Sequence, residues 1–337
     1  MATRQHHQGE TTRGTERHDA GPTTDEQVAD WVRALGVPGF IDLHVHFMPD
    51  SVQQKVWDYF DALPEHGEHA WPITYRGSEQ ARLDSLRHLG VTAFTTLNYA
   101  HRPGMADWLN EYSARMAAAH PDVIPSGTFH AEPDAGAVVA RALAHGAEVF
   151  KVHLAVGGFD PLGPELTPAW EQLVETRTPT VIHCGSGPHG GAHTGPQPIR
   201  ALLARHPDLV LVIAHAGLPE YQQFADLALE HPGVHLDTTM VATDYMNALF
   251  PMPPDYPRTL ARLDGKVVLG TDFPSIPYSY AHQLQALAGL GLGANWLADA
   301  LWHTPNRLLR RNAMEGPVPA EGSTGGTGEV STRRPAP

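Results

Sequence analysis

Short apolar runs alternate with helical segments along most of this chain, and that alternation limits the folds open to it. Several runs are continuously apolar, as in Val210–Ala214, which is typical of strands buried on both faces of a parallel sheet. The intervening segments place apolar residues near the 3.6-residue period of an amphipathic helix. The predicted strands are Gly39–Phe47, Val91–Asn98, Val123–His130, Ala147–His153, Thr180–His183, Leu209–His215, Val234–Thr238 and Lys266–Asp272.

Two α/β architectures fit this alternation, a (β/α)8 TIM barrel and a doubly wound open sheet. Strand counts alone do not separate them. Polar residues follow the first, fifth, sixth and eighth strands, and they must converge to form a site. A closed barrel brings the first and eighth strands together, whereas an open sheet generally does not. We therefore predict a TIM barrel.

The barrel is predicted to span residues 25–315 of the 337-residue chain. Residues 1–24 and 316–337 lack aliphatic periodicity and are rich in residues such as Thr, Gly and Pro. Such segments bury too little apolar surface to fold, so both are predicted to be disordered tails.

Composition and charge narrow the range of partners. The formal net charge of -14 argues against a nucleic-acid surface, which needs clustered Lys and Arg. No apolar signal segment is found in the first 30 residues, and no run of about 18 apolar residues predicts a membrane span. The single cysteine, Cys184, excludes an intrachain disulfide and suits a reducing compartment. We expect a cytoplasmic protein whose partner is a small molecule, with neither nucleic acid nor membrane bound.

Four predicted strands end in side chains that can bind a metal ion or accept a proton. His44 and His46 lie two residues apart on the first strand, and such residues point to one face. The others end near His183, His215 and Asp272. Each alone has an ordinary structural interpretation, and a His-x-His pair also arises by chance in a chain with 22 histidines. Buried together in a barrel mouth they are costly without a partner, and a bound cation is the simplest compensation.

These segments together resemble the amidohydrolase superfamily of metal-dependent hydrolases. More narrowly, they resemble its amidohydrolase-2 branch, which includes aminocarboxymuconate-semialdehyde decarboxylase and related decarboxylases. The matching segments, in the family's order, are Asp42–His46, His183–Gly185, His215–Gly217 and Gly270–Pro274.

The resemblance implies a ligand set and roles for its members. His44, His46, His183 and Asp272 match metal ligands, and Asp272 can also handle protons. His215 matches a nearby general base or polarising group. Three histidines and one carboxylate suit a single Zn²⁺, with Mn²⁺ also open.

A second arrangement stays open for Lys151, on the fourth predicted strand. In binuclear members of the superfamily a carbamylated lysine at that strand bridges two metal ions, and two ions are therefore not excluded. The narrower resemblance favours one ion, with Lys151 as a charged barrel residue that touches substrate. An ordinary ion-paired lysine is the structural alternative.

The chemistry implied is hydrolysis of an amide, lactone or related bond, in which a divalent ion lowers the pKa of a bound water. The alternatives are a non-oxidative decarboxylase of an unsaturated or aromatic carboxylic acid, and a barrel that binds metal or small molecules without turnover. A homodimer is a family-level expectation. Between Phe47 and Tyr75 lies either a lid or a helix packed on the barrel. Candidate substrate contacts, which are more often surface groups, are Arg76, His101, Arg102, His189 and His193.

Overall fold

A computed structural model of the chain describes residues 20–311. All of the predicted tail 316–337 and residues 1–19 of the predicted tail 1–24 lie outside this range. The strands are β1 (Phe40–Asp42), β2 (Val91–Thr95), β3 (Val123–Ile124), β4 (Ser126–Thr128), β5 (Val149–His153), β6 (Thr180–His183), β7 (Leu211–Ile213), β8 (Val234–Asp237) and β9 (Val267–Val268).

Helices follow the strands in the predicted alternation. The α-helices are α1 (Val28–Ala34), α2 (Asp50–Ala62), α3 (Glu79–His88), α4 (Ala106–Ala119), α5 (Ala135–Ala144), α6 (Leu154–Gly157), α7 (Thr167–Thr176), α8 (Pro196–Arg205), α9 (Tyr221–Glu230), α10 (Asp244–Leu249), α11 (Tyr256–Arg262), α12 (Tyr280–Ala288), α13 (Ala294–Ala298) and α14 (Thr304–Leu308). Short 3-10 turns lie at Asp25–Gln27, Leu63–His66, Pro164–Leu166 and Ala214–Gly217, and a π-helical turn at Asp299–His303 precedes α14. Within residues 20–311, no helix combines the length and the apolar character needed to cross a bilayer.

All strand pairs are parallel, in one sheet of order β1-β2-β3 and another of order β4-β5-β6-β7-β8-β9. The sheets meet at Pro125, where the predicted strand Val123–His130 divides into β3 and β4. Proline has no N–H to donate to a sheet ladder. The next amide, Ser126 N, donates instead to the Ser113 hydroxyl at 2.8 Å. The two sheets therefore continue one another around the barrel.

The first and last strands meet where the predicted site lies. No regular ladder closes the barrel, and an isolated bridge joins Val45 to Phe273. Three backbone hydrogen bonds reinforce this contact: Leu43 N to Leu269 O at 3.0 Å, Asp272 N to His44 O at 2.8 Å and His46 N to Phe273 O at 2.8 Å. The ends of these two strands are thereby held side by side at the carboxyl-terminal face of the barrel.

The strands lie in the core, as the continuous apolar runs predicted. Val181, Ile182, Val212 and Ile213 are fully buried. Parallel strands covered by helices have both faces out of water, which favours β-branched apolar residues in succession. This core fixes the strand ends, and the strand ends carry the candidate site.

Candidate metal centre

Three predicted ligands converge at the carboxyl-terminal face. The ligand atoms of His44, His46 and Asp272 all lie within 4.8 Å of one another. His46 Nε2 lies 2.8 Å from Asp272 Oδ1, and His44 Nε2 lies 3.5 Å from the same oxygen. Both imidazoles are buried, and the Asp272 carboxylate keeps 19% of its surface exposed. The cluster is thus open to a small ligand on one side.

The hydrogen bonds of the two rings leave their Nε2 atoms facing the Asp272 carboxylate. His46 Nδ1 lies 2.8 Å from the Leu97 carbonyl, which only accepts, so this nitrogen carries the proton. In the neutral ring, Nε2 is then a lone pair facing a carboxylate oxygen, which is also an acceptor. Two acceptors 2.8 Å apart require a proton or a cation between them. The donor set therefore suits a divalent metal ion.

Asp237 holds His44 in the matching tautomer. Its Oδ2 accepts from His44 Nδ1 at 2.8 Å, so the lone pair of Nε2 points toward Asp272. Asp237 is fully buried. Burial opposes its ionisation, but the neighbouring His44, His215 and Lys151 outweigh that effect and hold the pKa of Asp237 well below its usual range. The position beside His44 also needs Gly270, because a Cβ there would lie 2.7 Å from His44 Cβ.

His215 is held by the same carboxylate but in an unusual backbone conformation. Its amide donates to Asp237 Oδ1 at 2.7 Å, and its φ is 55°, in the left-handed region. The ring centroid lies 5.2 Å from that of His44, and no hydrogen bond to a described residue engages the buried Nδ1. Burial lowers the pKa of His215 to about 4, so the ring is neutral at pH 7. A neutral ring suits a hydrogen-bonding or polarising role.

His183 packs against His153 and His215. Its ring stacks on His153, with centroids 3.8 Å apart and planes 11° apart, and its centroid lies 4.8 Å from that of His215. Its Nε2 lies 3.3 Å from the Gly187 carbonyl, so this nitrogen faces its own loop. Its ligand role stays a prediction.

Lys151 reaches the same cluster from β5. Its Nζ donates to His44 Nε2 at 2.9 Å, and the side chain is fully buried. Burial lowers the pKa of Lys151 to about 8, while Asp237 and Asp272 act in the opposite direction. The lysine thus contacts one of the predicted ligands and competes with any cation for the His44 lone pair, while its role as a metal bridge or substrate contact stays a prediction.

The five candidate substrate contacts lie in the loops. Arg76 pairs with Asp61 and lies over the Trp57 ring, which helix α2 supplies. His189 Nε2 lies 2.7 Å from Glu68 Oε2, joining the glycine-rich loop after β6 to the segment after α2. His193 lies 3.9 Å from Asp160, while His101 and Arg102 are exposed. No described contact links these five residues to the three converged ligands, and their role in substrate binding stays a prediction.

Sequence reasoning missed three positions. Asp237 ends β8, one residue before the end of the predicted strand Val234–Thr238, so the strand-end pattern that found His215 could have found it. His153 ends β5 two residues after Lys151 and was overlooked beside it. Tyr99 packs against both His46 and His153, with centroids 5.7 and 5.2 Å apart, and nothing in its local sequence indicated this.

Solved structures with the same fold share little sequence with this chain. A TIM-barrel protein from Bordetella bronchiseptica is 18% identical with a TM-score of 0.62, covering 81% of this chain and 98% of that one. A 5-carboxyvanillate decarboxylase from Novosphingobium aromaticivorans, complexed with manganese and 4-hydroxy-3-methoxy-5-nitrobenzoic acid, is 13% identical with a TM-score of 0.53, covering 82% and 97%. A dihydroorotase from Campylobacter jejuni is 14% identical with a TM-score of 0.52, covering 81% and 84%. These similarities confirm the TIM-barrel fold.

The family itself is identified by sequence. No match was found among curated protein sequences. The family model described as Amidohydrolase matches residues 41–311, from the strand that precedes His44 to the end of the described chain. The resemblance inferred from the four strand-end segments is thereby confirmed, and with it a family that binds divalent metal ions. The chain belongs to the amidohydrolase family and is an enzyme of its hydrolase and decarboxylase class.

Proposed function

We propose that this chain hydrolyses a small carbonyl compound, such as an amide or a lactone, with one divalent metal ion held by His44, His46 and Asp272 and completed by His183. The observation that carries the proposal is the pair of imidazole lone pairs facing one carboxylate oxygen at 2.8 and 3.5 Å. A bound divalent ion supplies Lewis acidity, which polarises a carbonyl oxygen and makes water a better nucleophile at neutral pH.

The residues of the chain supply proton transfer and orientation. Burial opposes ionisation of Asp272, but His46, His44 and His215 hold the pKa of this carboxyl group well below its usual range. Asp272 is therefore a carboxylate at neutral pH, able to take a proton from the attacking water and pass it to the leaving group. Asp237 accepts the backbone amide hydrogen of His215, and the neutral His215 ring presents a nitrogen that can hydrogen-bond to the reacting oxygen.

Decarboxylation of an unsaturated or aromatic acid is the second candidate, favoured by two observations. Lys151 places a cationic group at the floor of the site, suited to a substrate carboxylate. Tyr99 and His153 form a ring-lined wall next to His183, suited to a planar molecule. The 5-carboxyvanillate decarboxylase of the same fold acts on such an acid.

Zinc is the proposed metal, because three imidazoles and one carboxylate are a common zinc ligand set. Manganese remains the alternative, as in the complexed decarboxylase. Elemental analysis of the purified protein tests both identity and number: one equivalent of zinc supports the proposal, and two equivalents support the binuclear arrangement through Lys151. A protein that binds no divalent ion refutes the metal centre.

The reaction is tested with a panel of amides, lactones and aromatic acids, with CO₂ release monitored beside hydrolysis. Hydrolysis without CO₂ supports the proposal, and CO₂ release supports the alternative. Turnover that survives complete removal of the metal by a chelator contradicts both. A His183→Ala variant that keeps its full metal content contradicts the ligand role of His183.

The His215→Ala variant separates one metal ion from two. With one ion, this variant keeps its metal and loses most turnover, because His215 acts on the substrate. Loss of an ion from the variant instead indicates that His215 is a ligand of a second metal. We also propose a homodimer acting on a small molecule in the cytoplasm, which size-exclusion chromatography and cell fractionation test.

A further inference from the structure

The amino-terminal face of the barrel, opposite the metal centre, contains a cavity of about 180 Å³. Its walls come from residues within three positions before β6, β7, β8 and β9, from His235 in β8, and from α14 with the turn after it. The volume is enough for several water molecules or for a phosphate group. The lining residues include three arginines and no acidic residue: Arg177, Arg307 and Arg310.

Two of these arginines, Arg177 and Arg310, differ from most arginines within residues 20–311. Arg33, Arg87, Arg141 and Arg200, for example, each pair with a carboxylate. Within residues 20–311, no ion pair or side-chain hydrogen bond engages Arg177 or Arg310. The chain carries a net charge of -14, so acidic partners are abundant elsewhere on it. Positive charge gathered around a cavity that no carboxylate lines indicates a site for an anion.

Arg307 is the partly anchored member of the three. Its Nη2 donates to the Thr304 hydroxyl at 3.0 Å, and its Nη1 lies 3.9 Å from Asp299 Oδ1. Thr304 itself lines the cavity. One guanidinium is therefore held in place while the other two are free to close on a ligand.

The backbone gives a second, independent observation. Arg177 and Arg310 have φ of 52° and 54°, in the left-handed region that glycine adopts without strain. Arg177 follows the last residue of α7, where glycine is the usual choice. At two positions the chain thus carries an arginine where its local backbone favours glycine, and both side chains line the same cavity. A strained backbone conformation that persists at an arginine indicates that the arginine side chain has a function there.

We propose that this cavity binds a phosphate group, with Arg177, Arg307 and Arg310 as its ligands. A guanidinium donates two parallel hydrogen bonds to phosphate oxygens, and three positive charges suit a dianion better than a single carboxylate. The phosphate is either free or part of a phosphomonoester. The site is separate from the metal centre, so it stands or falls independently of the proposed hydrolysis.

The test uses the full-length metal-loaded protein and inorganic phosphate at pH 8, with chloride at matched ionic strength as the reference. Calorimetry measures binding, and thermal unfolding measures the rise of Tm with phosphate, since a ligand of the folded state raises it. The double variant R177Q/R310Q removes two ligands. The control R33Q/R115Q removes two charges from exposed helical arginines that do not line the cavity.

We expect one binding site in the wild type and in the control, and affinity at least tenfold weaker in R177Q/R310Q with the phosphate-induced rise of Tm lost. Phosphate bound at the metal centre would give equal binding in all three proteins, which overturns the proposal, as does absence of binding at millimolar phosphate. The variant R177G/R310G guards against misfolding, because glycine suits both backbone positions; it should also lose the phosphate response.

Glycerol phosphate distinguishes the two sources of the ligand. Binding as tight as that of inorganic phosphate supports a phosphomonoester held by its phosphate group at an open cavity. Binding of inorganic phosphate alone supports the free anion. If neither molecule binds, the assignment fails.

Discussion

The two faces of this barrel carry charge in opposite ways. At the carboxyl-terminal face, buried imidazoles and carboxylates are paired with one another, as in the contacts of His44 with Asp237 and Lys151. At the amino-terminal face, three exposed arginines surround a cavity that no acidic residue lines, and two of them, Arg177 and Arg310, form no ion pair within residues 20–311. The hydrogen bonds at the carboxyl-terminal face orient imidazole lone pairs toward a cation, whereas the arginines at the amino-terminal face can close on an anion. On both faces, these side chains lie at the ends of the parallel strands or in the loops that connect the strands to helices.

The same backbone conformation appears on both faces with different consequences. His215 and Arg177 have φ of 55° and 52°. An Asp237 oxygen accepts the His215 amide hydrogen, so buried structure enforces that conformation. Arg177 merely ends a helix at the surface. Substitutions at the two faces therefore test whether the first face is built for catalysis and the second for binding.

The largest effect is expected from Asp272→Asn at the metal centre. The amide keeps the shape of the side chain but removes the negative charge that faces two imidazole lone pairs. Because metal ions contribute several kcal/mol to the transition state, loss of the ion should lower turnover at least about 1,000-fold. Metal content by elemental analysis and turnover on the best panel substrate check this.

Asp244→Asn is the matched control for that substitution. Asp244 is an exposed aspartate at the start of α10, outside the three-ligand cluster. It should keep full metal content and turnover. An Asp272→Asn protein that retains both would show that the converged atoms are not a metal site.

The sequence predicted the barrel and its strand ends because their physical causes are local. Apolar runs mark buried strands, and a polar residue after such a run marks the carboxyl-terminal face, where His44, His215 and Asp272 are found. The fourth position was harder to place: His183 lies at the expected strand end, yet its Nε2 faces the Gly187 carbonyl. Side-chain direction depends on loop packing, which a strand pattern does not encode.

Contacts between distant strands were beyond the sequence. Asp237 accepts a hydrogen bond from His44, which lies 193 residues away in sequence, and the local sequence around neither residue indicates this contact. The division of one predicted strand at Pro125 was readable from proline's missing N–H, but the compensating Ser113 hydroxyl was not. The arginine cavity also escaped notice, because the barrel brings Arg177 together with Arg307 and Arg310, which lie far from it in sequence.

The next effect is expected from Asp237→Asn. An amide oxygen can still accept the His215 amide hydrogen, but its NH2 group cannot accept the proton of His44 Nδ1. Loss of such a supporting contact typically weakens metal affinity about 10–100-fold. Metal titration of the apoprotein, with thermal unfolding to confirm the fold, checks this.

Thr239→Val is the graded comparison. The Thr239 hydroxyl lies 3.0 Å from the same His44 Nδ1 but carries no charge. It should weaken metal binding less than Asp237→Asn does. Equal affinity in the wild type and Asp237→Asn would mean that His44 keeps its orientation without the carboxylate.

A smaller effect concerns stability and pH in the metal-free protein. Burial lowers the pKa of His44 and His215 to about 4, and those of His153 and His183 well below 6.5. Unfolding lets these rings take up protons, so stability falls as pH drops from about 6.5 toward 4. Each such group adds about 1.4 kcal/mol per pH unit to the slope. Asp42, whose pKa burial raises to about 7, acts in the opposite direction, but it is one group against four.

Urea unfolding at pH 7.5, 6 and 5 measures this slope. His235→Gln is the comparison from the amino-terminal face, where burial also lowers the pKa of one histidine to about 4. The His235→Gln variant should keep most of the dependence of unfolding free energy on pH, because the four buried imidazoles at the opposite face remain. Equal or greater stability of the metal-free wild type at pH 5 would contradict the assignment of neutral buried imidazoles.

The smallest effect is expected from Arg177→Gly. Glycine relieves the left-handed conformation at the end of α7 and should stabilise the fold by about 0.5–1 kcal/mol, with kcat/KM unchanged. His215→Gly relieves a similar φ but should lose most turnover. Urea unfolding and turnover measured together on both variants decide the matter. If Arg177→Gly is no more stable than the wild type, the left-handed conformation of Arg177 costs no free energy. Backbone strain at Arg177 then no longer supports a binding role for the amino-terminal cavity.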